Sequence, residues 1–181
     1  LQGHPDMKHI PGVDMSSGSL GQGISAAVGM ALSAKLSGDS YRVYTLLGDG
    51  EIQEGQVWEA AMLAAHRKLD NLVVIVDNNN LQIDGAVDEV NSPYPIDQKF
   101  EAFNFHVINV DGHDFDALDA AFKEAKATKG CPTAIIAKTV KGKGVSFMEN
   151  QASWHGAAPN DEQYETAMAD LEKVGEALCQ K

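Results

Sequence analysis

Two short polar motifs in this sequence have residue types and spacing suited to binding a metal ion and a phosphate. The motif GDG at 48–50 directly follows one apolar run, and three asparagines at 78–80 directly follow the next. A carboxylate, an amide oxygen and a backbone carbonyl are hard oxygen donors, which suit Mg²⁺ and leave room for phosphate oxygens. The glycines let the backbone approach a diphosphate closely, and a following helix would present free N–H groups. The pair of motifs therefore predicts a site for Mg²⁺ and a diphosphate.

Either motif alone would be weak, because GDG by itself is usually a turn and asparagine-rich stretches are usually loops. The elements around them make the pair specific. Apolar runs predict buried strands over 41–47, 72–77, 105–110 and 133–140, and helical patterns cover 19–37, 54–69, 115–128 and 161–180. This alternation predicts one α/β domain over 1–181, a parallel sheet with helices on both faces. Ligands bind such sheets at the carboxyl ends of the strands, where both motifs fall.

The helical patterns also predict which side chains face the core. The long stretch 78–104 has little periodicity and is expected to be a functional or mobile loop. His113 and Asp114 are expected to form a turn and a helix N-cap. In the second helix the predicted stripe is Trp58, Met62, Ala65 and Leu69, with Val57, Ala61 and Ala64 beside it. The predicted stripes are Phe115, Leu118, Phe122 and Ala125 in the third helix, and Tyr164, Met168, Leu171 and Leu178 in the last.

Composition excludes several classes of function. The formal net charge is −12, which argues against nucleic acid and anionic membrane surfaces as partners, because both require clustered Lys and Arg. No apolar run approaches the roughly 20 residues of a membrane helix. The two cysteines, Cys131 and Cys179, form no CxxC pair and are expected to be free thiols in a reducing cytoplasm.

The motifs together resemble a known family. GDG, a spacer near thirty residues and NN form the thiamine-diphosphate fingerprint, and GDGEIQEGQVWEAAMLAAHRKLDNLVVIVDNNNLQIDG resembles the N-terminal section of transketolase. Further blocks occur in the family's order: GHP at 3–5, PGVDMSSGSLGQG at 11–23, DGHD at 111–114, KTVKGKGVSFMEN from 138 and WHGAAP to 159. The resemblance covers essentially the whole chain and implies the thiamine-diphosphate-binding fold, of the type that holds the diphosphate.

The resemblance implies a cofactor site that binds thiamine diphosphate and Mg²⁺, or Ca²⁺ or Mn²⁺ in its place. The metal ligands would be the carboxylate of Asp49, the side chain of Asn79 and the backbone carbonyl of Leu81. Asn79 would also contact the cofactor. Gly50 would lie against the diphosphate and Ile83 against the cofactor rings. Backbone groups of Gly18, Ser19 and Leu20 would hold the aminopyrimidine.

Three further residues match catalytic positions of the family. His4 corresponds to a histidine at the substrate and the reactive carbon, and His155 to one that reaches the diphosphate and a substrate hydroxyl. Glu54 corresponds to a glutamate near the subunit boundary, a candidate for an interface proton network. Without the resemblance, His4 would be a solvated terminal residue, His155 a surface histidine and Glu54 an ordinary helix residue. His9, His66, His106 and His113 are given no catalytic role.

The implied reaction is transfer of a two-carbon ketol unit from a ketose phosphate to an aldose phosphate. The family's activating glutamate belongs to a pyrimidine-binding domain, of which the sequence contains no block. We therefore expect half of a split transketolase that pairs with a C-terminal subunit in a dimer of heterodimers. The chain begins at Leu1, so processing and an incomplete copy remain alternatives. The second is preferred, because about a hundred residues with two more histidines usually precede this section.

Two rival interpretations remain open. A different thiamine-diphosphate enzyme, such as 1-deoxyxylulose-5-phosphate synthase or a 2-oxoacid dehydrogenase E1 subunit, would share GDG and the asparagine but not the combination QEGQVWEA, SFMEN and WHG. A truncated copy that binds cofactor or partner without turnover would follow from the missing upstream section, since catalysis without those histidines would be weak or absent.

Overall fold

The computed structural model describes residues 3–179 as an α/β fold around a parallel sheet, as the sequence predicts. The sheet has four strands in the order β1-β2-β6-β5, and a separate two-stranded antiparallel hairpin pairs β3 with β4. The strands are β1 (Val43–Gly48), β2 (Leu72–Asn78), β3 (Leu81–Gln82), β4 (Gly85–Ala86), β5 (His106–Asp111) and β6 (Thr133–Lys138). The helices are α1 (Gln22–Ser37), α2 (Gly55–His66), α3 (Val87–Asn91), α4 (Ile96–Ala102), α5 (Phe115–Ala127) and α6 (Asp161–Cys179).

The sheet register brings the two polar motifs to one edge. β1 and β2 run parallel with Gly48 opposite Asp77, so the chain leaves both strands at the same level. On the other side of β2, Asn78 lies opposite Lys138 of β6. The expectation that the motifs meet at the carboxyl ends of neighbouring strands is confirmed.

Helices cover both faces of the sheet, each with its own core. One face packs against α1, α2 and α4, with fully buried side chains such as Ile24, Val57 and Phe100. The other face packs against α5, where Ala121 and Ala125 meet Val73 and Ile135. The rigid first face supports the loops that follow β1 and precede α1.

Burial of β1 on both faces is a wrong prediction. Tyr44 is 50% and Leu46 68% exposed. On this face α5 packs against side chains of β2, β6 and β5. Its Phe122 ring meets that of Tyr44 in β1 edge-on at 6.0 Å.

The predicted helix stripes are wrong at several residues. Met62 of α2 is 61% exposed, whereas Leu69 and the predicted neighbours Val57, Ala61 and Ala64 are buried. In α5 the small Ala121 and Ala125 face the sheet, whereas Phe115 is 85% exposed. On α6 the side chains of Tyr164, Met168, Leu171 and Leu178 are exposed among the described residues. Size misled the assignment, since close helix-to-sheet approach favours small residues.

The stretch 78–104 contains more structure than a loop. It forms the β3–β4 hairpin, α3 and α4, each too short to give a clear periodicity. Helix α1 begins at Gln22 rather than at 19, because Gly18 and Gly21 have φ values of 149° and 79°, outside the helical region. The expected N-cap is confirmed: the Asp114 carboxylate accepts from the N–H groups of Asp116 and Ala117.

The structure bears on the cysteines and on membrane-spanning helices only within residues 3–179. Both Cys131 and Cys179 are free. None of the helices within 3–179 is long and apolar enough to cross a membrane.

Candidate active site

Asp49 lies at the centre of the loop that follows β1. Its carboxylate accepts from the N–H of Gly50 at 2.8 Å and from the N–H of Asn80 at 2.5 Å, and its own N–H donates to the carbonyl of Asp77 at 3.2 Å. The residue is 1% exposed. These bonds join the GDG loop to the asparagine loop after β2.

Charge at Asp49 is poorly compensated by the protein. Burial raises the pKa of Asp49, and the nearby Asp77 carboxylate raises it further, while N–H groups of Asn80 and Gly50 act in the opposite direction. Among the ion pairs of residues 3–179, none involves Asp49. A buried carboxylate without a cationic partner is costly, so a bound cation would stabilise it.

Asn79 and Leu81 are placed beside Asp49 by a sharp turn. Asn80 adopts the left-handed conformation with φ 60°, which reverses the chain between β2 and the β3–β4 hairpin. Within the turn the Asn79 side-chain oxygen accepts from the N–H of Leu81 at 2.9 Å. The three predicted metal ligands therefore lie in two loops joined by the Asp49–Asn80 bond.

The donor set suits Mg²⁺ or another cation that prefers oxygen ligands, such as Ca²⁺ or Mn²⁺, rather than a metal bound by thiolate or imidazole. Within the described residues no cluster of three or more His, Cys, Asp or Glu side chains could hold a metal. A site here would use one carboxylate, one amide oxygen and one backbone carbonyl, with the remaining positions filled by diphosphate oxygens and water, a composition typical of Mg²⁺. The residues present therefore fit a Mg²⁺ ion that carries a diphosphate.

Gly50 is closely packed from one side. A Cβ at this position would come within 3.1 Å of the Gln82 Cβ, so no larger residue fits without movement of the hairpin. The Gln82 amide oxygen accepts from the Gln53 side chain at 2.7 Å, which fixes the hairpin against the 3-10 turn 51–53. Gly50 in the loop after β1 is therefore packed closely against the β3–β4 hairpin.

The segment Gly18-Ser19-Leu20 forms the loop before α1, and the structure brings His4 to it. A Cβ on Gly18 would lie 2.7 Å from the His4 ring, so the imidazole packs directly on the glycine. Leu20 is 60% exposed. The segment borders a cavity of about 880 Å³ that also touches Tyr44, Leu46 and Glu51, a volume in the range of small-molecule sites.

The remaining predicted residues lie on the surface around the loops. His155 ends a 3-10 turn at 152–155 that contacts β3, next to the proposed carbonyl ligand, and is exposed. Ile83 is 70% exposed at the tip of the hairpin. Glu54 is exposed before α2, and its Cβ packs against Gly21. Their functional roles stay predictions.

Sequence analysis missed four residues that organise the site. Asp77 accepts from the Asn79 amide at 3.1 Å and from the Thr139 hydroxyl, and Tyr94 donates to the Asn78 side-chain oxygen at 2.6 Å. The fourth is Glu51, whose carboxylate accepts from two backbone N–H groups. The position of Asp77 at a strand end was a usable signal, whereas Tyr94 and Thr139 are distant in sequence and gave none.

His113 also has a contact that its N-cap role did not predict. Its Nε2 accepts from the N–H of Val140 at 2.8 Å, which ties the loop after β5 to the loop after β6. A second cavity of about 650 Å³ lies at this junction, bordered by Asn78, Lys138 and Lys143.

The fold and site define an α/β protein with two polar loops joined at the carboxyl ends of neighbouring strands of a parallel sheet. The chain matches the family model described as transketolase, thiamine diphosphate binding domain, over residues 1–173. The chain therefore belongs to the transketolase thiamine-diphosphate-binding domain family, as its motifs indicate.

Similar proteins include transketolase subunits. The chain is 46% identical over 97% of its length to the 6-deoxy-6-sulfo-D-fructose transketolase subunit SqwG of Clostridium sp. (strain MSTE9), of which it spans 64%. It is 42% identical over 98% of its length to an apulose-4-phosphate transketolase subunit of Phocaeicola vulgatus, of which it spans 63%. The chain thus spans less than two thirds of these relatives.

A solved structure agrees with these similarities. The transketolase of Campylobacter jejuni superposes with a TM-score of 0.83 at 37% identity, covering 91% of this chain and 26% of the crystallised one. The α/β fold inferred from the sequence is that of a transketolase.

Proposed function

We propose that this chain is part of the thiamine-diphosphate-binding subunit of a split transketolase. The observation that carries the proposal is the junction of the GDG loop and the asparagine loop through the Asp49–Asn80 bond. This junction gathers one carboxylate, one amide and one carbonyl in a chain of the transketolase family. The relatives' names as transketolase subunits support a two-chain enzyme.

In the proposed site, Asp49, Asn79 and the Leu81 carbonyl would hold Mg²⁺, which would anchor the diphosphate. Gly50 would lie against the diphosphate, on a loop packed so closely on the hairpin that an added Cβ would meet the Gln82 side chain. Backbone groups of Gly18, Ser19 and Leu20 hold the pyrimidine end. When bound, thiamine diphosphate supplies the carbanion-stabilising chemistry of ketol transfer.

The side chains of this chain bind, orient and move protons. His4 packs on Gly18 and would hold a substrate hydroxyl above the pyrimidine segment. His155, beside β3, would contact the diphosphate and a second hydroxyl. Positioned acid–base groups of this kind contribute roughly 10²–10⁴ in rate each. Glu54, exposed against Gly21, would join a proton network at the subunit boundary.

The partner, substrates and location follow from the same proposal. A C-terminal subunit would supply the pyrimidine-binding domain and the activating glutamate, in a dimer of heterodimers. The substrates would be a ketose phosphate donor and an aldose phosphate acceptor, or a sulfonated or branched sugar like those in the names of the relatives. The cytoplasm remains the proposed location and a single domain the proposed organisation. With a net charge of −12, nucleic acid and membranes are not proposed as partners.

The rival interpretations are less favoured. The relatives and the structural match are transketolases, which supports ketol transfer over 1-deoxyxylulose-5-phosphate synthase or 2-oxoacid dehydrogenase E1 activity. Their names as transketolase subunits also favour an active enzyme over a non-catalytic module.

The decisive experiment is calorimetric titration of thiamine diphosphate with Mg²⁺, with and without a C-terminal transketolase subunit. Asp49→Ala should abolish binding, because it removes the buried anionic ligand. Asp39→Ala, which removes an exposed carboxylate, is the matched control and should bind like wild type. Ketol transfer between sugar phosphates is then assayed in the paired protein. Binding that persists in Asp49→Ala, or binding without ketol transfer in the pair, would contradict the proposal.

A further inference from the structure

One carboxylate bonds to both loops that would hold the two ends of the cofactor. Oε1 of Glu51 accepts from the N–H of Gly21 at 2.9 Å, at the start of α1. Oε2 of the same side chain accepts from the N–H of Gly48 at 3.1 Å, at the end of β1. The two backbone donors are thirty and three residues away in sequence. Glu51 is part-buried and borders the larger cavity.

We propose that Glu51 is a positioning residue that couples the pyrimidine-binding segment 18–20 to the diphosphate-binding loop 48–50. The inference rests on the function proposed above. Glu51 does not touch the cofactor in this role. It fixes the separation between the two loops, and so the length of the site into which a cofactor of defined length must fit.

The loop before α1 depends on this contact. Gly21 is the residue before the first helical turn, has φ 79°, and provides no side-chain cap. The Glu51 carboxylate therefore caps the N-terminus of α1. It accepts from the Gly21 N–H, which would otherwise have no partner within the helix. Gly21 is also closely packed against a second residue, since a Cβ at Gly21 would come within 2.9 Å of the Glu54 Cβ.

The diphosphate loop depends on Glu51 much less. Gly48 and Asp49 are also held by the sheet, through pairing of Gly48 with Asp77 and the 3.2 Å bond from the Asp49 N–H to the Asp77 carbonyl. Loss of the Glu51 carboxylate should therefore release segment 18–21 and leave loop 48–50 in place. The affinity for a ligand that contacts both loops should therefore fall, and the affinity for a ligand that contacts only loop 48–50 should not.

Two ligands separate these possibilities. Thiamine diphosphate spans both loops, whereas inorganic pyrophosphate with Mg²⁺ uses only the diphosphate loop. We expect Glu51→Gln to weaken thiamine diphosphate binding about tenfold, the equivalent of one lost charge-assisted hydrogen bond, and to leave pyrophosphate binding nearly unchanged. Glu51→Asp keeps the charge but is one methylene too short to reach both donors, and should behave similarly. Binding is measured by calorimetry in the chain paired with its C-terminal subunit.

Hydrogen exchange provides a readout that does not need the cofactor. The amide of Gly21 should exchange faster in Glu51→Gln than in wild type, while the Asp49 amide stays protected. Glu101→Gln, which removes an exposed glutamate of α4, is the charge-matched control and should change neither affinity nor exchange.

Each contrary outcome has a distinct meaning. Equal weakening of both ligands would overturn the coupling, because Glu51 would then support only the diphosphate loop. Faster Gly21 exchange with unchanged thiamine diphosphate affinity would overturn it too, leaving a purely structural cap. A wild-type pair that binds neither ligand would instead overturn the proposed function, a result recognised before any variant is compared.

Discussion

The side-chain amide of Asn79 donates to the carboxylate of Asp77 over 3.1 Å. This bond fixes which end of the amide faces which neighbour: the nitrogen points to Asp77 and the oxygen points toward the Leu81 N–H. Asp77 is itself held by the Thr139 hydroxyl of the loop after β6. The amide oxygen therefore faces the turn with a lone pair free for a cation, before any cation binds.

Removal of Asp77 should weaken Mg²⁺-dependent binding. Asp77→Ala leaves the Asn79 amide free to rotate, and loss of such an outer partner typically costs roughly 10- to 100-fold in metal affinity. Asp77→Asn keeps an acceptor for the amide and should lose less. Titration of Mg²⁺ at saturating thiamine diphosphate measures the effect, with Asp39→Ala as the exposed control. Equal affinity in Asp77→Ala and wild type would contradict this orienting role.

Tyr94 should stabilise the asparagine loop through its hydroxyl. Burial raises the pKa of Tyr94, as do the charges of Asp49 and Asp88, so the hydroxyl stays protonated and donates to Asn78 at 2.6 Å. Tyr94→Phe should lower the free energy of unfolding by about 1 kcal/mol. Urea denaturation measures this change. Tyr164→Phe, at an exposed position of α6, should leave the unfolding free energy unchanged, and a similar loss in both variants would refute the assignment.

Asp70 should make stability depend on pH in the acid range. Burial acts to raise the pKa of Asp70, but the Gly130 N–H at 2.9 Å and the Lys35 ammonium outweigh it, so the pKa lies below the usual value. The carboxylate therefore stabilises the fold above its unfolded pKa of about 3.9, and this contribution is lost as pH falls through the lower folded pKa.

The test compares unfolding of Asp70→Asn and wild type between neutral and acid pH. The variant should be less stable by about 1 kcal/mol at neutral pH, and the difference should shrink as the pH falls below about 4. Asp119→Asn provides the control, because Asp119 forms an exposed i,i+4 pair with Lys123, of a kind that contributes little. A difference between Asp70→Asn and wild type that stays constant with pH would rule out the carboxylate's charge as its cause.

The two faces of α2 should respond differently to truncation. Val57 is 0% exposed in the core, so Val57→Ala should cost about 2 kcal/mol through lost burial and a cavity. Met62 is 61% exposed, so Met62→Ala should change the unfolding free energy by less than about 0.5 kcal/mol. Thermal or urea unfolding of the isolated chain gives both values. A cost at Met62 as large as that at Val57 would contradict the assignment of Met62 to the exposed face of α2.

Local sequence determined the four strands of the main sheet and the position of the two polar motifs. Apolar runs bounded by polar residues predicted the strands, and their alternation with helical patterns predicted the parallel sheet. The motifs at 48–50 and 78–80 were located because each follows a strand, and parallel strands bring such positions to one edge. The family resemblance then assigned Asp49, Asn79 and Leu81 as expected metal ligands, and this assignment stays a prediction.

Tertiary structure decided what no local pattern encodes. Exposure of Tyr44, Leu46 and Met62 depends on which helix covers which strand, and hydrophobicity does not state this. Hydrogen bonds that orient the site join residues far apart in sequence. The Thr139 hydroxyl is 62 positions from the Asp77 carboxylate, and the Gly21 N–H is thirty positions from the Glu51 carboxylate. A hydrogen bond depends on distance and direction between two groups, and for residues so far apart only the packed fold sets these.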